Sequence, residues 1–350
     1  MKPVVITGSG FVAWMSAHII LTRTQAPVYL IEQAYQDAPM YVALTPRRLA
    51  WLRQYLPCHD KDWGVFQTMY IAGPSRQFDI PQTNKPLAYL VDLNQLTQTL
   101  RQSLQNHPKL EIGQETISAI TQNTLTCGQI IEYSALLIAE GSQSPTRDLI
   151  WPSVTQDPTY VDFQSYATLT PLSTELPHNG RSYQYFDERG IYAYLPQRDP
   201  HQSIFITHHV EPDQHDYDPK PFGSHHSPQS TSRFPLSTMH ISPCVKHQVV
   251  LLGDARSRIH PLAGLGLNTG LYCLEVLDKT LKTMPLSPFL WQEYEALTDP
   301  QVAKAYMLTK HIAQLSQSHT GRSVIDTCLG LAEFWQQDDW LREQADPAIA

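Results

Sequence analysis

The chain has 350 residues, of which 42% are hydrophobic and 17% charged, and its formal net charge is −8. This is a globular composition, long enough for one large or two modest domains with a sizeable core. The negative charge and the lack of a long basic run argue against nucleic acid as a partner. The five dispersed cysteines predict reduced thiols rather than disulfides. The histidines lack metal-ligand spacing, so we expect no metal site.

The first residues run directly into an apolar strand pattern, without the longer apolar run and cleavage site of a signal peptide. No stretch of about 18 apolar residues occurs, so we expect no membrane-spanning helix. The default expectation for the compartment is the cytoplasm.

The chain begins with a pattern typical of a β-α-β unit. Residues 3–7 are apolar and β-branched, which predicts a buried strand. Gly8-Ser9-Gly10 and a helical pattern over Phe11–Thr24 follow. Val28–Ile31 predicts a second buried strand, which ends at Glu32.

The turn between the first strand and the helix has the sequence G-x-G-x-x-A, which predicts a dinucleotide site. Gly8 permits the tight turn, Gly10 lets the backbone approach a pyrophosphate, and Ala13 allows close packing of helix on strand. The helix N-terminus offers free N–H groups to the phosphates. Glu32 is placed to accept hydrogen bonds from ribose hydroxyls and disfavours a 2′-phosphate, so FAD or NAD fits better than NADP.

The remaining elements follow from hydrophobic period and capping signals. Thr45-Pro46 predicts a helix start, since threonine is a good N-cap and proline suits the first helical position. Residues 155–208 alternate aromatic and polar side chains, which predicts antiparallel sheet with one exposed face. The other predictions are a helix over Asp92–Asn106, strands over Ala135–Ala139 and Val249–Leu252, a loop over 211–232, and helices over Gly266–Thr283, Pro285–Leu315 and Val324–Leu341.

A second motif runs from Leu251 to Gly270 and predicts a strand, an acid, a loop and a glycine-rich helix start. Asp254 stands at the end of the strand, where it can bind a ribityl hydroxyl. The backbone of residues 264–268 can present N–H groups and a helix dipole to the pyrimidine edge of a flavin. A helix-entry turn alone would explain Gly264-Leu265-Gly266 but not the whole string.

This string resembles the G-D-A-A-H-x-x-x-P-x-x-G-x-G-x-N-x-G motif of class A flavoprotein monooxygenases. Its core, from Ile259 to Gly270, resembles the ubiquinone-biosynthesis hydroxylase branch most closely. Residues 137–147 match the D-G motif, and Ala43–Arg48 resembles the segment that follows the first β-α-β unit. Three motifs in the family's order cover roughly residues 2–147 and 180–310.

The motifs also depart from the family pattern at four residues. Glu140 replaces the usual Asp, Arg256-Ser257 replaces Ala-His, and Leu265 replaces a usual Gln. The span from Gly141 to Gly253 is shorter than is typical, so we expect a trimmed substrate sheet. These departures bear on turnover rather than on the fold.

The resemblance implies a hydroxylase in which NAD(P)H reduces FAD and O2 then forms a flavin C4a-hydroperoxide. The substrate would be a hydrophobic prenylated phenol of ubiquinone biosynthesis, and the cofactor would carry the oxygen chemistry. Tyr183, Tyr185, Tyr192 and Tyr194 could line a phenol pocket, although such aromatics more often serve sheet packing.

The predicted site residues follow from the motifs and the resemblance. His260 and Pro261 are expected near the reactive edge of the flavin, where His260 is either functional or a packed histidine. The expected cofactor-binding residues are Gly8, Gly10, Phe11, Val12, Ala13, Glu32, Gln33, Arg47, Arg48, Glu140, Gly141, Gly253, Asp254, Pro261, Gly264, Gly266, Leu267 and Asn268.

The fold expected from the resemblance is α/β, a Rossmann-type FAD-binding domain with an inserted antiparallel β-sheet substrate domain and C-terminal helices. The FAD-binding domain is predicted over 1–70, 88–150 and 245–285, the substrate domain over 71–87 and 151–244, and the helical segment over 286–350.

The resemblance leaves two other functions open. The chain could hydroxylate another aromatic substrate, or it could be an impaired FAD-binding or scaffolding subunit. A membrane-resident substrate would imply peripheral contact with the inner membrane face and contact with other quinone-biosynthesis proteins. Aromatic residues beyond Pro285 could form such a surface or simply a core.

Overall fold

A computed structural model describes residues 1–33, 40–72, 77–80, 85–152, 154–157, 159–187, 190–209, 221–223, 231–261 and 264–316. The chain divides into two compact units. The first contains residues 1–37, 94–161 and 237–309, and the second contains residues 38–93, 162–236 and 310–350.

The described residues form twenty strands and six α-helices. The strands are β1 (Val4–Thr7), β2 (Val28–Ile31), β3 (Tyr41–Leu44), β4 (Gly64–Phe66), β5 (Thr68–Ala72), β6 (Gln77–Ile80), β7 (Ala88–Asp92), β8 (Leu110–Gly113), β9 (Ala119–Ile120), β10 (Thr124–Cys127), β11 (Gln129–Glu132), β12 (Ala135–Ile138), β13 (Val161–Ser173), β14 (Arg181–Asp187), β15 (Gly190–Pro196), β16 (Gln202–His209), β17 (Ser232–His240), β18 (Val245–Lys246), β19 (Val249–Leu251) and β20 (Ser257–Arg258). The helices are α1 (Phe11–Arg23), α2 (Pro46–Leu52), α3 (Leu93–Leu104), α4 (Pro145–Asp148), α5 (Leu265–Thr283) and α6 (Pro288–Ser316).

The first unit is built on a six-stranded sheet with the order β18-β19-β12-β1-β2-β8. All neighbours pair in parallel except β18 and β19, which are antiparallel. Strands β1, β2, β12 and β19 are buried at every residue. Continuous apolar runs are what a parallel sheet requires, because helices cover both of its faces.

The chain leaves β1 towards β2 on one side, while β12 lies on the other side of β1. This is a reversal of strand order, and the loops that follow β1 and β12 diverge there. In open α/β sheets, ligands bind beyond the carboxyl ends of the strands at such a switch point.

The helices of the first unit begin and end close to the predicted positions. Helix α3 buries Leu96, Leu100 and Leu104 on one face, as their spacing predicts. Helix α5 begins after Gly264, and α6 continues through Pro300 as a single helix.

The second unit contains a mostly antiparallel sheet in which β17-β13-β16-β15-β14-β5-β6 are neighbours. Strands β13 to β16 confirm the predicted antiparallel sheet, and β5 joins β14 in parallel. A separate three-stranded sheet has the order β3-β7-β4. In α2 of this unit, Thr45 accepts a hydrogen bond from the N–H of Arg48 and Pro46 occupies the first turn, as predicted.

Each face of the antiparallel sheet carries an apolar cluster, and the predicted exposed face is seen only in part of β13, where Asp162, Gln164 and Tyr166 are exposed. One face packs Leu169 and Ile204 against Phe66 and Leu90. The opposite face carries the tyrosine cluster, which we define as Tyr183, Tyr185, Tyr192, Tyr194, Phe205 and Phe222. Tyr183, Tyr185 and Tyr192 of this cluster are partly buried, because a tyrosine ring packs on its neighbours while its hydroxyl can remain in water.

The boundaries of the two units differ from the predicted domains. Residues 38–70 and 88–93 were expected in the nucleotide-binding domain but belong to the second unit. Their strands explain this placement, since β5 pairs with β14 and β3 pairs with β7. Helix α6 belongs to the first unit as far as residue 309. The predicted helix Val324–Leu341 and most of the loop 211–232 lie outside the described residues.

Candidate functional site

The turn after β1 packs against Ala139, the residue that follows strand β12. Gly8 has a φ of 127°, and a Cβ added to it would lie 2.3 Å from the carbonyl oxygen of Ala139. The N–H of Ala139 in turn donates to the oxygen of Thr7 at 2.9 Å. No other residue fits at position 8, because both the backbone conformation and the space exclude a side chain.

The second glycine of the turn faces open space instead. A Cβ added to Gly10 would meet no atom within 4 Å. Gly10 has extended backbone and precedes α1, so the first N–H groups of this helix border that space. Behind them, Ala13 is fully buried, as helix-on-strand packing requires. The opening is therefore a cradle of backbone N–H groups that suits a phosphate.

The second motif meets the first at Val12. A Cβ on Gly253, whose φ is 56°, would lie 3.2 Å from Val12 Cγ2, and one on Gly270 would lie 3.8 Å from the same atom. The N–H of Leu252 donates to the oxygen of Ile138 at 2.9 Å. The loops after β1, β12 and β19 therefore converge at one edge of the parallel sheet.

Asp254 is solvent-exposed at this edge, directly after Gly253. Desolvation by the surrounding protein raises the pKa of its carboxyl, and the positive charge of Arg258 opposes that rise. An exposed acid beside a glycine loop can accept a hydrogen bond from a ligand hydroxyl.

The start of α5 is held by the residues of the motif itself. Gly264 is left-handed, with a φ of 61°, and its N–H donates to the oxygen of Pro261 at 3.1 Å. Asn268 donates through its side-chain amide to the oxygen of Gly264 at 2.8 Å. A Cβ on Gly266 would meet nothing within 4 Å. The helix N-terminus, with the half-exposed Leu267 beside it, is thus a second open cradle.

The segment after β12 uses Glu140 to close its own turn. The carboxylate accepts from the hydroxyl of Ser144 at 2.6 Å and from the N–H of Thr146 at 3.1 Å, and also from the Thr146 hydroxyl. Glu140 therefore holds the first turn of the short helix α4, whose N-cap is Ser144, and this bonding explains why the longer acid is tolerated. Gly141, with a φ of 81°, has open space around its Cβ position.

Glu32 lies at the end of β2 as predicted, but it has protein partners. Its Oε1 accepts from Trp14 Nε1 at 3.2 Å, and its Oε2 pairs with Arg101 Nη2 at 2.7 Å. The next residue, Gln33, exchanges hydrogen bonds with Ser9: its N–H donates to Ser9 Oγ at 2.7 Å, and its oxygen accepts from the same hydroxyl.

Sequence reasoning missed three of these residues, Ser9, Trp14 and Arg101. Ser9 and Trp14 stand inside the motif and its helix, so the sequence placed them near the site without showing their partners. Arg101 is far from Glu32 in the sequence, and no local pattern signals their contact.

These features together fit an adenine dinucleotide cofactor. Two open cradles of backbone N–H groups suit a diphosphate, and the exposed acid after β19, Asp254, suits a sugar hydroxyl. The fit rests on Gly10 and Gly266, where a side chain would fill the space that the cofactor needs.

No protein-family model matches the sequence. The chain is 24% identical over 249 residues to the 3-demethoxyubiquinol 3-hydroxylase of Escherichia coli, covering 65% of this chain and 62% of the relative. It is also 24% identical over 275 residues to the ubiquinone hydroxylase UbiL of Rhodospirillum rubrum, covering 70% and 63%. The chain thus spans less than two thirds of the length of these relatives.

A shorter match is closer in sequence. Over 54 residues the chain is 43% identical to the mitochondrial ubiquinone biosynthesis monooxygenase COQ6 of Danio rerio, covering 15% of this chain and 11% of the relative.

The chain is similar to hydroxylases and monooxygenases of ubiquinone biosynthesis.

Solved structures show the same fold. PqsL of Pseudomonas aeruginosa, in complex with 2-aminobenzoylacetate, superposes with a TM-score of 0.72 at 14% identity, covering 93% of this chain and 99% of that one. HpxO of Klebsiella pneumoniae, complexed with FAD and uric acid, gives a TM-score of 0.68 at 16% identity, covering 98% and 93%. The FAD-binding α/β fold is thereby confirmed.

The departures from the hydroxylase pattern have local structural explanations. Arg256 is 1% exposed and donates to Thr298 Oγ1 at 2.7 Å and to Asp299 Oδ1 at 2.8 Å. Ser257 donates to the oxygen of Met239 at 3.2 Å. Leu265 is 2% exposed in the first turn of α5. All these residues serve packing or fixed polar contacts within the first unit.

The remaining expected site residues of the hydroxylase family stay predictions. His260 is 3% exposed, and Pro261 is half-buried beside it. Arg47 and Arg48 lie in α2 of the second unit, where Arg48 is fully buried and Arg47 half-buried.

The four tyrosines proposed for a phenol pocket pack on one another. The rings of Tyr185 and Tyr192 stack with centroids 5.0 Å apart, and Tyr194 packs on Phe205 at 4.6 Å and on Phe222 at 5.6 Å. This favours the sheet-packing interpretation. A cavity of about 510 Å³ at the edge of the cluster is lined by Tyr183 and Phe222, among others.

In the part of the chain that the structure describes, no helix is long and apolar enough to span a bilayer. Of the aromatic residues beyond Pro285, Trp291 and Tyr294 are buried, whereas Phe289 is 73% exposed. Phe334, Trp335 and Trp340 lie outside the described residues.

Proposed function

We propose that this protein binds FAD and hydroxylates the aromatic ring of a prenylated phenol in ubiquinone biosynthesis, with NAD(P)H as reductant and O2 as oxygen source. The similarity to the hydroxylases of this pathway supports the substrate class. The fold similarity to an FAD complex supports the cofactor.

The observation that carries the proposal is the meeting of the two glycine motifs at Val12. Gly253 and Gly270 both approach the side chain of this residue, which lies inside the first motif. The approach places the acid after β19 and the N-terminus of α5 beside the N-terminus of α1. One elongated dinucleotide can then contact both helix ends.

The roles of the residues follow from this arrangement. The N–H groups after Gly10 would bind the pyrophosphate, and Asp254 would accept a hydrogen bond from the ribityl chain. The N–H groups at Gly266 and Leu267 would contact the pyrimidine edge of the flavin, where negative charge develops on reduction. Bound FAD supplies the activation of O2, and the protein supplies position and exclusion of water.

The hydrophobic substrate would be held without a charged anchor. We expect His260 and Pro261 near the reacting edge of the flavin, with His260 buried and therefore fixed in orientation. A prenylated substrate resides in membranes, so we propose peripheral contact with the inner membrane face and with other quinone-biosynthesis proteins. The compartment we propose is the cytoplasm.

The test is aerobic turnover of the purified chain with a set of prenylated phenols. Flavin absorbance should accompany the protein, and oxidation of NAD(P)H should require a prenylphenol. The product should gain one oxygen atom, which mass spectrometry detects.

Other outcomes identify the competing functions. Turnover only with soluble, charged aromatic compounds would assign the chain to another substrate class, as the fold similarity to HpxO allows. Stoichiometric FAD without any NAD(P)H oxidation would identify a binding or scaffolding subunit. A colourless protein that takes up no FAD would reject all three functions.

A further inference from the structure

The end of β2 presents an arginine rather than the acid that the sequence places there. The side chain of Glu32 is 5% exposed, whereas that of its partner Arg101 is 46% exposed. A ligand that arrives at this end of the sheet from solvent therefore meets the guanidinium before it meets the carboxylate.

Glu32 is fixed by contacts on both of its oxygens. Oε1 accepts from the indole Nε1 of the fully buried Trp14, and Oε2 accepts from Arg101 Nη2 at 2.7 Å. A buried carboxylate held from two sides cannot turn towards a ligand without leaving a buried donor unpaired, which is costly. Its geometry suits a residue that positions another group.

Arg101 is held in place by the same two residues. It reaches from the last turn of α3 to Glu32, and its guanidinium carbon lies 5.7 Å from the centroid of the Trp14 ring. A guanidinium has five N–H donors in one plane, and the ion pair with Glu32 engages only one edge of that plane. The exposed edge is available to a ligand oxygen.

We propose that Arg101 is a cofactor-contacting residue that Glu32 and Trp14 position, and that it donates to the ribose of the adenosine half. This inference rests on the proposed function, since it concerns the same nucleotide site. It also reverses the expectation that the acid at position 32 disfavours a 2′-phosphate. An arginine near the ribose is the group that accommodates a 2′-phosphate in dinucleotide sites, so this site accepts 2′-phosphorylated adenine nucleotides.

The experiment uses the full chain and three probes. The dissociation constant of FAD is measured by flavin fluorescence, and ADP-ribose and 2′-phospho-ADP-ribose are each titrated as competitors against FAD. The variants are Arg101→Gln, Arg101→Lys and Glu32→Gln.

The control variant is Arg23→Gln, at the opposite end of α1. Arg23 is 26% exposed and pairs with the 1% exposed Asp278 at 2.5 Å. Arg23→Gln and Arg101→Gln thus each remove an arginine from an ion pair with a buried acid in the first unit. Only Arg101 lies at the proposed nucleotide site.

The unsubstituted chain should bind 2′-phospho-ADP-ribose at least as tightly as ADP-ribose. Arg101→Gln should weaken FAD binding about tenfold or more, as expected for the loss of a charged hydrogen bond. The same variant should bind ADP-ribose more tightly than 2′-phospho-ADP-ribose, because the unpaired Glu32 then repels the 2′-phosphate. Arg101→Lys should keep the preference, since it keeps the charge.

The remaining variants separate positioning from stability. Glu32→Gln should weaken the binding of both competitors and leave the order of their affinities unchanged. Arg23→Gln should lower Tm and leave all three dissociation constants within about twofold.

Two results would overturn the inference. One is an FAD dissociation constant that Arg101→Gln leaves unchanged. The other is an unsubstituted chain that binds ADP-ribose more tightly than 2′-phospho-ADP-ribose, which would show that Arg101 does not accommodate a 2′-phosphate. Failure of the unsubstituted chain to bind FAD overturns the proposed function, whereas FAD binding that is indifferent to Arg101 overturns only this inference.

Discussion

The two sheets of the protein use their polar groups in opposite ways. In the parallel sheet the central strands β1, β12 and β19 are buried along their whole length, and the glycines and the acid of the site follow where these strands end. In the antiparallel sheet of the second unit, tyrosines stand within the strands and pack on each other. The parallel sheet therefore leaves open positions at one edge, while the antiparallel sheet packs a cluster of side chains on each of its faces.

This difference indicates where substitutions should affect ligand binding and where they should affect stability. Gly10 and Gly266 have open space at their Cβ positions because a ligand-sized gap follows the strand ends. Tyr194 is 2% exposed because its ring contacts other rings. Each of the following predictions tests one side of that contrast.

The largest effect is expected at Gly10. Gly10→Val should abolish FAD binding, because the side chain would occupy the space proposed for the pyrophosphate. The fold should tolerate the change, since the backbone is extended and no atom lies within 4 Å of the Cβ. The measurements are the ratio of FAD to protein after purification and the circular dichroism spectrum. Full FAD occupancy in this variant would contradict the assignment of the nucleotide site.

Gly8→Ala is the matched contrast within the same turn. Its Cβ would lie 2.3 Å from a backbone oxygen, and its φ is 127°. Backbone strain and overpacking together should lower the free energy of unfolding by about 3 kcal/mol or more. Denaturant unfolding measures this loss, and a variant as stable as the parent would show that the turn can relax.

Tyr194→Ala should damage the second unit without changing the nucleotide site. Removing a buried aromatic ring in contact with Phe205 and Phe222 should cost about 3–5 kcal/mol. Thermal unfolding measures the loss. The FAD dissociation constant of the folded fraction should stay within about twofold, and a much weaker constant would mean that the tyrosine cluster serves the ligand.

Asp254→Ala should weaken FAD binding by about 1.5–3 kcal/mol, the contribution of a hydrogen bond to a charged group. Stability should change little, because the side chain is exposed. Equilibrium titration with FAD gives the constant. An unchanged value would show that the second motif does not bind the ribityl chain.

The smallest effect is a pH dependence of stability from His240. Burial and the nearby cation of Arg256 lower the pKa of His240 below 6.5, while Asp299 and Asp157 oppose that shift. Because the folded protein holds this histidine neutral, the unfolded chain binds more protons between the two pKa values. Stability is therefore present above pH 6.5 and is lost as pH falls through the folded value.

His240→Asn should reduce that loss by about 1 kcal/mol or less over the acidic range. Denaturant unfolding between pH 7.5 and 5 compares the two proteins. Parallel pH profiles would assign the acid sensitivity to other groups, such as His178, whose pKa burial also lowers.

Much of the first unit was predictable because its signals are local. The bounds of β1, α1 and β2 agree with the predicted unit within one residue at each end, since apolar runs and glycines determine short strands and tight turns. The second motif predicted β19 and α5 for the same reason. The strands β3 to β7 were not predicted, because they are short and carry no clear alternation.

The sequence by itself determined the two glycine motifs, the acids after β2 and β19, and the helix starts beside them, since each depends on the conformation of a few neighbouring residues. Only the tertiary structure decided which of these groups face solvent. Glu32 is buried behind Arg101 of α3, and Glu140 is occupied because its carboxylate accepts from the N–H of Thr146 in the first turn of α4. Gly253 meets Val12 because β19 and β1 both flank β12. These contacts join residues far apart in the chain, and a local pattern carries no information on such pairs.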